Sequence, residues 1–196
     1  MRLTEAFEAI DATNDADPSQ LTTGDGRRVP KARWQGERAT VWLQRRCADD
    51  PQRPSDALEL AARAHHLCRF EIRRTSYPAG RAGYLRWRRD EKRHQATRLR
   101  EVLGPVGTPS EIVERAGEIV QKLELGSDPE VQRFEDVVCL VFCETELDEL
   151  LERIGPDKVR DAVIKTAAKM SPAGLALLPE ATPEGPGRTL VMSLLA

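Results

Sequence analysis

Three histidines, at positions 65, 66 and 94, and a few carboxylates in unusual company are the residues of this 196-residue chain best suited to chemistry. His65 falls on an apolar stripe with Leu58, Ala61 and Cys68, the setting of a core histidine bonded to a backbone carbonyl. His66 sits one step round the same helix, near Glu59, Arg63, Arg69 and Phe70, where a polar pocket can begin. His94 shares a face with Trp87, Asp90, Glu91 and Arg98. The spacing Glu91-x-x-His94 puts carboxylate and imidazole on adjacent turns, as in the metal sites of helical bundles. Asp90 and Glu91 suit surface pairing with Arg86, Arg93 or Arg98 equally well. Glu135-Asp136 leads into the apolar run Val137–Phe142, where an acid must face solvent or find a cation, because an unpaired buried carboxylate is very costly. Asp136, Cys139 and Cys143 fall on one face, and the thiols read as small buried hydrophobes or as soft metal ligands.

An anionic partner is indicated by where the basic residues lie. Between Arg63 and Arg100 there are twelve basic residues against three acidic ones, a segment of +9 in a chain of net charge −2, so the remainder carries −11. Eleven of the twelve are arginine, whose planar fork binds phosphate and carboxylate oxygens bidentately. The alternative is that these arginines pair with the acidic remainder across the fold.

Several classes fall away. The chain has no glycine-rich phosphate loop, no GxSxG, no HExxH and no CxxC. Its longest unbroken apolar run, Val137 to Cys143, is seven residues, against the roughly 20 that a spanning helix needs. The opening Met1-Arg2-Leu3-Thr4-Glu5 carries an acid where a signal peptide would be apolar, so a cytoplasmic protein is expected, with its four cysteines reduced and mostly buried.

The elements that must position these residues read as helices, because apolar residues recur at three and four spacing and no useful segment alternates with period two. The expectation is an all-α, compact bundle of about seven helices in a single domain over 1–196. A first helix carries Leu3, Phe7 and Ile10; a loop-rich segment covers 11–31; a second helix runs from Ala32 to Cys47. The third, capped by Ser55, presents Leu58, Ala61, His65, Cys68 and Ile72 along one stripe. The fourth spans Tyr84 to Leu103. Thr108-Pro109-Ser110-Glu111 reads as a capping box for the fifth, and Asp128-Pro129 starts a sixth that lasts until Gly155-Pro156. A seventh covers Asp157 to Met170, and a Pro/Gly-rich tail over 179–196 ends in a short element.

His66, His94 and Asp136 thus come from three helices in the order His, His, Asp, at intervals of 28 and 42 residues. That order and scale resemble the HD-domain metal-dependent phosphohydrolases, all-helical enzymes whose metal is held by a His, an adjacent His-Asp pair and a late Asp. Here His94 is followed by Gln95, so Asp90 or Glu91 would have to replace the missing ligand, or the site is degenerate. The string Tyr77-Pro78-Ala79-Gly80-Arg81-Ala82-Gly83-Tyr84-Leu85-Arg86-Trp87-Arg88, with Ala61–Ile72 before it and Asp128–Phe142 after it, is similar to the domain of unknown function 4202 family. The resemblance aligns that family's histidines with His66 and His94. It also matches Arg69, Arg74, Tyr77, Arg81, Tyr84, Trp87, Arg88 and Lys122 to polar or aromatic positions, which implies a pocket.

Together these readings point to an HD-like, metal-dependent enzyme acting on a small anionic substrate, with phosphate ester or nucleotide hydrolysis favoured and oxygenase chemistry as a variant. His66, His94 and Asp136 would hold a divalent zinc, manganese or iron ion, and Glu135 or Glu91 would serve as acid or base. Arg69, Arg74, Arg81, Arg88 and Lys122 would bind the anion, with Tyr77, Tyr84 or Trp87 alongside as stacking surfaces. The alternative is a non-enzymatic RNA- or nucleotide-binding module that uses the same arginine-rich 63–100 segment.

Overall fold

Helical periodicity this pervasive yields helices nearly throughout. A computed structural model describes residues 3–195, and among them are ten α-helices and one small hairpin. In chain order they are α1 (Leu3–Asn14), β1 (Gln20–Thr22), β2 (Arg28–Pro30), α2 (Lys31–Arg46), α3 (Asp56–Arg63), α4 (Gly80–Leu103), α5 (Ser110–Gln121), α6 (Pro129–Thr145), α7 (Leu147–Ile154), α8 (Pro156–Ala167), α9 (Pro172–Ala181) and α10 (Pro186–Leu195). The fold is all-α, with more helices than the expected seven. None of the described helices is long and apolar enough to cross a membrane.

Local chemistry explains most boundaries. Ser55 Oγ accepts the Leu58 N–H at the start of α3, and Asp128 Oδ1 accepts the N–H groups of Glu130 and Val131 at the start of α6, with Pro129 where its missing donor costs nothing. The capping box of α5 does not form. Pro109 stays extended and occupies the cap position itself, which leaves the buried Thr108 hydroxyl without a partner. The 11–31 segment is more ordered than its turn residues promised: β1 and β2 pair antiparallel, Leu21 opposite Val29, and the buried Asp17 ties the hairpin to α2 by accepting the N–H groups of Ser19 and Ala32.

Three helical readings are corrected. The third helix ends at Arg63, and His65, Cys68 and Ile72 do not continue its stripe, because His66 (φ 66°) and Cys68 (φ 52°) take left-handed backbone that no α-helix accommodates. The sixth breaks at Glu146 into α6 and α7. The tail is two helices, with Pro179 inside α9 and the Arg188 guanidinium donating to the carbonyls of Pro179 and Thr182. In addition, α4 starts one turn before Tyr84, at Gly80.

One apolar cluster runs from Ala6 on α1 to Val191 on α10. Within it α4 lies along α5, α3 against α5 and α2, α2 against α6, and α6 against α9. Leu58, Leu60, Leu99 and Leu140 are fully buried, each contributing about 1.5–3 kcal/mol. Two glycines allow backbones to touch: a Cβ on Gly36 would lie 2.3 Å from the Arg63 carbonyl oxygen, and one on Gly83 only 1.9 Å from that of Pro78. Gly83→Ala is therefore expected to push the 77–79 loop off α4 and lower stability by about 1–3 kcal/mol, as measured by urea unfolding.

Candidate functional site

After Arg63 the chain descends through successive tight turns, Leu67 N–H to Ala64 O, Arg69 N–H to His66 O and Glu71 N–H to Cys68 O. Side chains from other elements hold this descent in place. Gln95 on α4 donates to Ala64 O, Trp87 Nε1 donates to Ile72 O at 2.9 Å, and Asn14 Oδ1 on α1 accepts the Cys68 N–H. The left-handed backbone at His66 turns its ring away from the leucines of α3 and toward α4.

His66 is held at both nitrogens. Gln35 Nε2 donates to Glu146 Oε1 at 2.8 Å, and since a carboxylate only accepts, the Gln35 amide must present its oxygen to His66 Nδ1, 2.7 Å away. His66 therefore carries its proton on Nδ1, and its Nε2 lone pair faces the Arg69 guanidinium. The His65 ring lies 3.8 Å from that of His66 and edge-on to Phe134, so it is a core residue held by ring packing, although the helix whose stripe suggested this ends at Arg63. Burial holds both imidazoles well below the usual histidine range. The neighbouring cations add to this, Lys122 first for His65 and Arg69 first for His66. Both rings are neutral near pH 7.

Opposite them α4 supplies Arg88, Glu91, Lys92 and Gln95, the end of α5 supplies Val120 and Lys122, and α6 supplies Phe134 and Val138; these line a cavity of about 20 Å³. That is room for one water molecule. The buried Glu91 takes Arg69 on one oxygen (2.8 Å) and Arg88 on the other (2.5 Å), and both guanidiniums lie over the Trp87 ring, at 5.3 and 5.7 Å. Lys122, itself in left-handed backbone, pairs with the buried Glu135, whose other oxygen has Lys169 at 3.9 Å from the solvent side. Lys92 has its pKa pushed down to about 8 by burial, with Lys122 and Arg88 adding repulsion. Among the residues that line the cavity, Arg88, Lys92 and Lys122 against Glu91 leave three minus one, an excess of two positive charges around neutral imidazoles.

The three residues expected to hold a metal are not gathered. His94 Nε2 pairs with Glu71 Oε2 at 2.6 Å. Asp136, fully buried, accepts from Arg46 Nε at 2.8 Å, from the Ser171 N–H and hydroxyl, and from Gln132, and so fastens α9 to α6. A Cβ on Gly174 of α9 would meet the Asp136 carboxyl at 2.6 Å, which shows how close that seam is. His66 faces cations. No group of three or more His, Cys, Asp or Glu among the described residues is arranged to hold a metal ion, and no mechanistic step is assigned to one here.

The other expected residues divide. Arg69, Arg88, Lys122, Glu91 and Glu135 come together at the cavity, but both glutamates are committed to cations, as positioning groups. Arg74 is spent on the carbonyls of Tyr77, Pro78 and Gly80, and the Tyr77 hydroxyl donates to Asp90. Trp87 is 9% exposed and already covered by two arginines, whereas Arg81 and Tyr84 are exposed. Sequence reasoning missed Gln35 and the pocket role of Lys92, the single lysine among eleven arginines. The four cysteines are free and buried, Cys143 with its thiol pushed up to about 12 by burial. A wider surface groove of about 680 Å³ lies between the starts of α3 and α6, but Arg115 there is paired with Asp128 and Glu130, and Arg133 with Asp50.

A family model described as a domain of unknown function (DUF4202) matches residues 4–191. No curated protein and no solved structure matches the chain.

Because Asp136 is one half of a buried ion pair, Asp136→Ala is expected to destabilise the fold by about 3–5 kcal/mol, while loss of the half-exposed His94–Glu71 pair in His94→Ala costs about 1 kcal/mol or less. Denaturant unfolding of the two variants checks this asymmetry, and equal losses would contradict it.

Proposed function

The chain belongs to the domain of unknown function 4202 family, and from that premise and the geometry we propose that it binds the phosphate group of a small phosphorylated ligand at the His66 cavity and hydrolyses the ester. The excess of two positive charges around one small cavity carries this reading. A phosphate monoester is a dianion near neutral pH, so it balances that excess, where a single carboxylate would leave half of it. Arg69 and Arg88 offer the planar forks that bind phosphate oxygens in pairs, and Lys92 and Lys122 add point charges.

The cavity as it stands has room for no more than a water molecule. Both arginine side chains are 29% exposed, and each touches Glu91 through one nitrogen, so their remaining nitrogens can turn to take up an anion while Glu91 keeps its counter-charge. With the phosphate bound, water attacks phosphorus and the P–O ester bond breaks. His66 Nε2, unprotonated and oriented through Gln35, accepts the proton of the water, and the Lys92 ammonium supplies one to the leaving oxygen. The fixed guanidiniums stabilise charge developing on the non-bridging oxygens.

Two measurements test this. Calorimetric titration with inorganic phosphate should show one site, weakened about tenfold or more in Arg88→Gln and in Lys92→Gln, with melting curves confirming that each variant is folded. Absence of phosphate binding, or a stoichiometric metal lost together with activity in His66→Ala, overturns the proposal. The pH profile follows from Lys92, which is protonated below about 8. The ligand loses its second proton near 6, so binding is expected to be strongest between about 6 and 8 and to fall above that, and Lys92→Gln should lose the alkaline fall.

A further inference from the structure

The phosphate site continues outward along one face of α4. Arg81, Tyr84, Leu85, Arg88 and Lys92 recur at three and four spacing, so they form one stripe, which leaves the cavity at Lys92 and Arg88 and reaches solvent at Tyr84 and Arg81. At 1.5 Å of rise per residue Tyr84 lies about 6 Å and Arg81 about 10 Å along the axis from Arg88. Tyr84 is 47% exposed and Leu85 54% exposed, unusual for an aromatic and a leucine side by side. The Tyr84 ring is 5.8 Å from that of Trp87, and so abuts the arginine–tryptophan stack. Arg81 makes no ion pair among the described residues, in contrast to Arg88 two turns away on the same helix and to Arg69.

A flat exposed ring, an apolar neighbour and an unpaired guanidinium next to a dianion site match a nucleoside phosphate. We infer that the phosphorylated ligand is a nucleoside phosphate, its phosphate at Arg88 and Lys92 and its base stacked on Tyr84, with Arg81, beyond the ring, placed for the next phosphate where the nucleoside ends a strand. This inference rests on the phosphate site proposed above. A peptide bearing a phosphate gains little here, since the stripe offers it no backbone hydrogen-bonding partner, whereas every base has a face to stack. The shared chemistry covers a free mononucleotide and the phosphorylated end of a strand.

Calorimetry with inorganic phosphate, ribose 5-phosphate and adenosine monophosphate on wild type, Tyr84→Ala and Tyr84→Phe tests it, and Tyr84 is exposed enough for both variants to fold. Adenosine monophosphate should bind about tenfold tighter than ribose 5-phosphate; Tyr84→Ala should abolish that difference and Tyr84→Phe should keep it. Equal binding of the two ligands by wild type, with phosphate still bound, overturns this inference alone. No binding of any of the three overturns the phosphate site as well. A 5′-phosphorylated hexaribonucleotide that binds more tightly than the mononucleotide, with steeper salt dependence, identifies a strand end; equal affinity identifies the free nucleotide. Equal binding of the 5′-hydroxyl hexamer, with the phosphorylated one no better, overturns the inference.

Discussion

A buried carboxylate must be given its counter-charge by the fold, and at Glu91 this requirement organises everything around it. One oxygen holds Arg69 and the other Arg88, so two guanidiniums that would otherwise repel are placed side by side over one tryptophan. Arg69 can reach Glu91 only because the chain after Arg63 leaves the helix, and the chain stays in that course because α4 answers it with Gln95 at Ala64 and Trp87 at Ile72. The left-handed residues at 66 and 68 are thus conditions for the ion pair as much as consequences of it.

The arginine-rich segment resolves into populations with different work. Arg63 closes bidentately on Asp11 and Arg100 on Glu114, and such pairs hold helices together. Arg74 braces a loop by its carbonyls. Arg69 and Arg88 are paired with the buried Glu91 but remain partly exposed. Arg81 has no partner among the described residues. A count of +9 describes none of these roles, because charge along a sequence says nothing of which charges meet.

Much of the architecture was legible beforehand for a local reason. The caps at Ser55 and Asp128 and the apolar spacing of α3 and α6 act over a few residues, and the structure follows them. The break after Arg63 was not legible, since His65, Cys68 and Ile72 keep helical spacing and only contacts from α1 and α4 override it. Likewise Glu146 ends α6 where nothing in the sequence stops a helix. At the site, the face argument singled out His66, the place of an acid before an apolar run singled out Glu135, and the family resemblance singled out Arg69, Arg88 and Lys122. These lie together, whereas Arg74 and Arg81 do not join them. Spacing failed for Asp136 and His94, because three positions on three helices meet only if the faces that carry them turn to one another. The acid beside an apolar run was expected either to face solvent or to find a cation; that it finds one, and that the cation is Arg46, ninety residues away, is a fact of packing.

The closed cleft has a further consequence for what can enter it. Parting Arg69 and Arg88 uncovers a buried carboxylate, and a neutral molecule of suitable shape does nothing to offset that exposure. On the proposed reading an anion does, because it draws on the guanidinium nitrogens that Glu91 leaves free while Glu91 keeps its counter-charge. If the chain binds phosphate there, the pair on Glu91 is a filter by charge ahead of any fit by shape, and uncharged analogues are screened out at the doorway.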